Sequence, residues 1–126
     1  MDHSPGFLRL VEESRRRIRE TTPEEVHARQ RAGETFHLVD VREDAEWEQG
    51  RAEGAVHLGK GVIERDVERT FPDRGAEIVL YCGGGYRSAL AADALQKMGY
   101  RRVQSMDGGW RRWRELGLPV TGVRDT

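Results

Sequence analysis

Cys82 is the one cysteine of the chain, and its neighbours could make it a nucleophile. Residues 82–88 read Cys-Gly-Gly-Gly-Tyr-Arg-Ser. The apolar run Ile78 to Tyr81 precedes them, as expected of a strand covered on both faces of a parallel sheet. A helix pattern follows from Ser88. In an open α/β sheet, ligands bind at such strand-to-helix junctions along the carboxyl edge. Gly83, Gly84 and Gly85 carry no Cβ, so successive amides can turn inward and form an anion-binding nest. The helix start adds its positive end, and Arg87 adds a full charge. All three favour thiolate over thiol. They would equally stabilise a persulfide on Cys82, or an anionic donor approaching it. The helix dipole opposes a cation at the position of Arg87, which points to a function for that side chain. The Gly-Lys-Ser/Thr ending of a phosphate-binding P-loop is absent, so that chemistry is not supported.

Asp40 ends another strand-like run on what should be the same sheet edge. A bare carboxylate beside Cys82 would disfavour the thiolate. Asp40 is therefore expected to hydrogen-bond the loop or to pair with an arginine such as Arg42 or Arg87. The four histidines show no metal-ligand spacing with Cys82. Nor does the sequence place a base for a Cys–His hydrolase.

These residues need a scaffold, and the patterning supplies one. Residues 7–17 read as a helix, with Phe7, Leu8, Leu10, Val11 and Ile18 near one side. Residues 19–21 could be a short edge strand. Thr22-Pro23-Glu24-Glu25 is a helix start, with Thr22 as cap, Pro23 at the first helical position and Glu25 closing a capping box. That helix should end at Gly33. Strands are expected over 36–41, 55–58, 78–81 and 103–106. Helices are expected over 43–49, 62–69 and 88–98, with a last one opened by Asp107 or Gly108 and carrying Trp110, Trp113 and Leu116 on one face. Strands alternating with helices argue for a parallel α/β sheet with helices on both faces.

The whole chain has 126 residues, suiting one domain, and a formal charge of −1, which gives no general pull toward nucleic acid. Nearly all its positive charge is arginine, Lys60 and Lys97 being the two lysines. One cysteine allows no internal disulfide and fits a reducing compartment. No signal-peptide pattern or membrane-length apolar run is evident, so a cytoplasmic location is expected.

Four pieces together resemble the rhodanese-like domain family, over about Thr22 to Val120. They are Leu38-Val39-Asp40-Val41-Arg42; Glu46 followed by Gly54-Ala55 and a short strand; the Cys82 to Ser88 loop; and Asp107-Gly108-Gly109-Trp110 with Trp113, Gly117, Leu118, Pro119 and Val120. The resemblance implies a three-layer α/β/α fold whose five-stranded parallel sheet sets the Asp40 strand beside the Cys82 strand. It divides the chain into an N-terminal extension (1–21), a rhodanese domain (22–120) and a tail (121–126). It implies that Cys82 is the catalytic nucleophile, taking sulfane sulfur from a thiosulfate-like or persulfide donor. Cyanide, a thiol or a protein partner would then accept the sulfur. Gly83, Gly84, Gly85, Tyr86, Arg87 and Ser88 would form the substrate loop, with Asp40 and Arg42 in support. No metal or organic cofactor, nucleic acid or membrane is called for. One departure stands out. A stretch that family members commonly write Gly-His-Ile-Pro-Gly-Ala is here Gly50-Arg51-Ala52-Glu53-Gly54-Ala55. Two alternatives stay open: a relay that works only with a partner protein, and a related phosphatase or arsenate reductase. In the latter, five residues rather than four separate Cys from Arg.

Overall fold

The computed structural model describes residues 3–123. In chain order the elements are α1 (Pro5–Arg15), β1 (Arg19–Thr21), α2 (Pro23–Arg31), β2 (His37–Asp40), α3 (Asp44–Glu48), β3 (Arg51–Ala52), β4 (Val56–His57), α4 (Ile63–Thr70), β5 (Glu77–Tyr81), α5 (Tyr86–Lys97), β6 (Arg102–Met106), α6 (Gly109–Glu115) and β7 (Val120–Thr121). Five strands form one parallel sheet in the order β1-β6-β5-β2-β4. β5 lies at its centre, and its register sets Asp40 opposite Tyr81 and Leu80 opposite Ser105. The expected sheet and the neighbouring placement of the Asp40 and Cys82 strands are both present.

Strand alternation divides the core in two. Ile78, Leu80 and Cys82 face one side with Val39, Val41, Ile63, Val67 and the small residues Ala91 and Ala92 of α5. Val79 and Tyr81 face the other, against Val26 of α2 and Trp113 of α6. The alanines let α5 approach the sheet closely beneath Cys82.

Some local expectations are corrected. The apolar stripe of the first helix is narrower than read: Val11 is buried, Phe7 is half-buried and Ile18 packs partly buried against the core, whereas Leu8 and Leu10 are exposed. Polar anchoring adds to this face. Asp93 on α5 accepts hydrogen bonds from Arg17 at 2.9 and 2.7 Å and from Ser14 at 3.2 Å. Thr22 does cap α2, accepting from the Glu25 amide at 3.2 Å. The Glu25 carboxylate, however, accepts from the Thr21 hydroxyl at 2.8 Å, so the second half of the expected capping box is not made. A reciprocal contact of that kind occurs instead at α3, where the Glu46 carboxylate accepts from the Glu43 amide at 2.9 Å. α5 opens at Tyr86 rather than Ser88, taking Tyr86 and Arg87 into its first turn. The expected final helix opens at Gly109. The antiparallel β3–β7 pair was not foreseen; two-residue strands carry no periodic signal. It brings Thr121 of the expected tail against Arg51. Residues 124–126 of that tail, and residues 1–2 of the N-terminal extension, lie outside the described residues.

Candidate active site

Cys82 is buried, 1% exposed, one residue beyond the end of β5. Its sulfur accepts from the Gly85 amide at 3.2 Å and the Ser88 amide at 3.4 Å. Two inward amides thus meet the sulfur, but they are three residues apart and only that of Gly85 belongs to the glycine run, so they are not the successive amides of the expected nest. Gly85 has φ 102°, a left-handed backbone that side chains strain to adopt. A Cβ there would also stand 3.1 Å from the Asp107 carboxylate. The first-turn amides of α5 have no acceptor within their own helix, so the loop closes directly onto a helix start.

The outer side of the loop is held by another element. The Cys82 carbonyl accepts from the Trp110 amide at 2.8 Å, and the Gly83 carbonyl from the Arg111 amide at 3.0 Å. The start of α6 therefore draws both carbonyls away from the sulfur. This contact requires Gly109, whose φ is 51°. A Cβ at Gly109 would press on the Cys82 carbonyl oxygen and stand 3.0 Å from the Gly83 carbonyl carbon. Asp107-Gly108-Gly109-Trp110, read in the sequence as a helix start, is also a wall of the cysteine loop.

Arg87 forms a two-pronged pair with Glu46, at 2.7 and 3.1 Å. The arginine holds the Glu46 carboxyl below the usual range, against partial burial. Glu46 in turn favours the charged form of Arg87, and the Cys82 sulfur acts in the same direction more weakly. This pair explains how a cation is tolerated at the start of α5. The sequence showed Glu46 as a motif residue but not its partner.

Asp40 pairs with Arg42, one of the three partners considered, and not with Arg87. Both are buried, at 0% and 3% exposure. The carboxylate accepts from the Arg42 amide at 2.9 Å and from its guanidinium at 2.8 to 3.1 Å. Arg42 also donates to the Gly50 carbonyl at 2.6 Å and lies 4.6 Å from the Trp110 ring centroid. The pair ties the end of β2 to the Gly50 turn and to α6.

Tyr86 turns toward α1. Its ring centroid is 4.5 Å from that of His3 and 5.1 Å from the Arg15 guanidinium carbon. Ser88 is buried beneath the sulfur: the Cys82 thiol reaches its Oγ at 3.5 Å, and that Oγ lies 2.8 Å from Ser105 Oγ on β6. Ser105 was missed. The available signal was a small polar residue in a strand otherwise burying Val103 and Met106.

Beside the loop lies a cleft of about 520 Å³ with Arg87 in one wall. Val41, Leu58 and Val62 supply apolar lining, and His57 and Lys60 supply nitrogen groups. His57 is held in place by the Arg42 carbonyl at 2.8 Å and by stacking on Trp47, with centroids 4.9 Å apart.

Comparisons with known proteins agree with this architecture. A "Sulfurtransferase" of Allochromatium vinosum is 34% identical over 103 residues, covering 82% of this chain and 94% of its own. A thiosulfate sulfurtransferase, GlpE, of Vibrio cholerae is 31% identical over 84 residues, covering 67% and 77%. Two further relatives are longer, and the chain spans 61% and 42% of their lengths. A solved structure from Rhodopseudomonas palustris, of a protein of unknown function described as a possible tyrosine phosphatase, superposes with TM-score 0.86 at 28% identity, covering 96% of this chain and 98% of that one. The Rhodanese-like domain family matches residues 22–116, which takes in β2, the Cys82 loop and α6. By fold, by loop and by relatives, this chain belongs to the rhodanese-like domain family.

Proposed function

We propose that the chain is a rhodanese-type sulfurtransferase in which Cys82 carries sulfur as a persulfide. The observation that carries this reading is the donor set around Sγ: two backbone amides at a helix start, with Arg87 alongside. Such a set offers hydrogen bonds to a sulfur anion, thiolate or persulfide. The thiolate attacks the outer sulfur of thiosulfate, forming a new S–S bond. The old S–S bond breaks, and sulfite leaves with its electron pair. The terminal sulfur is then attacked by cyanide or a thiolate, and Cys82 leaves as thiolate again. This is a two-step covalent relay. Gly83 to Ser88 form the cradle, Arg87 attracts the anionic donor, and the adjoining cleft gives an approach. Asp40 and Arg42 support the loop indirectly, through Arg42 against Trp110, whose amide holds the Cys82 carbonyl. The free cysteine fits action in a reducing compartment such as the cytoplasm. No described helix is long and apolar enough to cross a membrane.

The test is intact mass before and after thiosulfate, then after cyanide. Gain and loss of one sulfur atom is expected for the native chain and no gain for Cys82→Ser. Arg87→Ala should lower donor use more than stability. Thiosulfate:cyanide activity in Cys82→Ser would overturn the mechanism. Sulfur gain from a protein persulfide but not from thiosulfate would favour a partnered relay. The Rhodopseudomonas structure recommends a second assay, aryl phosphate hydrolysis. Hydrolysis without any sulfur gain would replace the present reading with the phosphatase.

A further inference from the structure

We propose that Ser105 is a positioning residue that acts through Ser88 to favour the thiolate of Cys82. The inference deepens the reading of Cys82 as sulfur carrier and rests on it. Ser88 and Ser105 are both fully buried, and their oxygens are 2.8 Å apart. Ser88 Oγ also lies 3.5 Å from Cys82 Sγ. The three side chains form one line, and the bond directions along it depend on the state of the sulfur. With the thiol, three protons, one S–H and two O–H, meet only two contacts, Sγ to Ser88 Oγ and Ser88 Oγ to Ser105 Oγ, so one is left without an acceptor along the line. In the thiolate, Ser105 donates to Ser88, and Ser88 donates to sulfur. Both hydroxyl protons are then used. A buried donor without an acceptor is disfavoured, so the line as a whole favours the thiolate. Chained bonds also polarise one another, which strengthens the final O–H to sulfur contact.

Ser105 is held in this place by the sheet. It sits opposite Leu80 in the β5–β6 register, two residues before Cys82. Other groups set the charge around the sulfur: Arg87 on α5 with its partner Glu46 from α3, the Asp40–Arg42 pair at the end of β2, and Asp107 after β6 with Arg15 of α1 3.6 Å from it. None of these groups hydrogen-bonds the Ser105 hydroxyl, so its effect can be read separately.

The experiment follows the pH dependence of Cys82 alkylation by iodoacetamide in the full chain. No sulfur donor is present. Ser105→Ala should raise the midpoint by about half to one pH unit, slowing alkylation about three- to tenfold below it. In a Ser88→Ala background the same substitution should do nothing, because the connecting hydroxyl is gone. Ser105→Thr should keep the native midpoint. Thr and Val at 105 have the same shape and differ in the hydroxyl, so that pair gives the same comparison if the alanine chain fails to fold. An unchanged midpoint in Ser105→Ala would overturn the proposal. So would an equal shift in the Ser88→Ala background. A midpoint that moves as stated in a chain that never takes up sulfur would refute the proposed function alone.

Discussion

Asp93 anchors the N-terminal helix, and its contribution can be read from pH. Its carboxylate accepts from the Arg17 guanidinium at 2.9 and 2.7 Å and from the Ser14 hydroxyl at 3.2 Å, with Lys97 at 3.4 Å. The hydrogen bond from Arg17, foremost among these, lowers the carboxyl from 3.8 to about 2. At full strength such a displacement corresponds to about 2.5 kcal/mol. The Asp93 side chain is 8% exposed, but Arg17 is 50% and Lys97 68%, so water screens the pair. We therefore expect Asp93→Asn to lose about 1–2 kcal/mol at pH 7, lowering Tm by roughly 4–10 °C. The sign with pH is definite. The folded carboxyl is more acidic than the unfolded one, so its stabilisation is present above about pH 4 and fades as pH falls toward 2. Urea unfolding of both chains at pH 7, 4, 3 and 2 measures this. The native chain should converge on the variant as pH falls. A difference between the two chains that stays constant from pH 7 to pH 2 would refute the charge argument and leave only a packing effect.

Two other perturbations follow from the site's supports. Asp40→Ala leaves the Arg42 guanidinium buried with the Gly50 carbonyl as its remaining acceptor, so thermal unfolding should report a loss of about 3–5 kcal/mol. Replacing both partners, as Asp40→Val with Arg42→Met, should recover at least half of that, because no charge is then left unpaired. Gly109→Ala places a methyl against the Cys82 and Gly83 carbonyls, and an overpacked contact of this kind should destabilise by about 1–3 kcal/mol. Loss of persulfide loading, measured by mass below the melting range, should exceed what that destabilisation explains.

The residues that made the site legible did so through local pattern. Ile78 to Tyr81 announced a central strand by unbroken apolarity, and Cys82-Gly-Gly-Gly announced the turn by lack of side chains. The residues alone set Asp40 on the same sheet edge as Cys82, and the family resemblance made their strands neighbours. What stayed hidden depends on distance in the chain. Glu46 and Arg87 are 41 residues apart, and nothing in either segment names the other. Ser105 reaches Ser88 only because β6 pairs with β5 in one register. α1 misled for a different reason. Its apolar residues suggested a wide stripe, of which Val11 is buried and Phe7 and Ile18 are partly buried, while Leu8 and Leu10 are exposed and hydrogen bonds to Asp93 add polar anchoring.

The Cys82 loop is braced from α6 and from α3. Four residues separate Cys82 from Arg87, and the segment has little freedom. Its first two carbonyls are fixed to the start of α6, and its third and sixth amides after Cys82 point at Sγ. Gly85 is closely backed, since a Cβ there would stand 3.1 Å from the Asp107 carboxylate and 3.3 Å from the Gly108 nitrogen. Arg87 cannot swing freely, because Glu46 holds both its terminal nitrogens. The proposed function asks this loop to hold one more sulfur atom beyond Sγ with these contacts in place. The two glycine-rich motifs, 25 residues apart from Cys82 to Asp107, are therefore one device: the start of the second holds the first two carbonyls of the first.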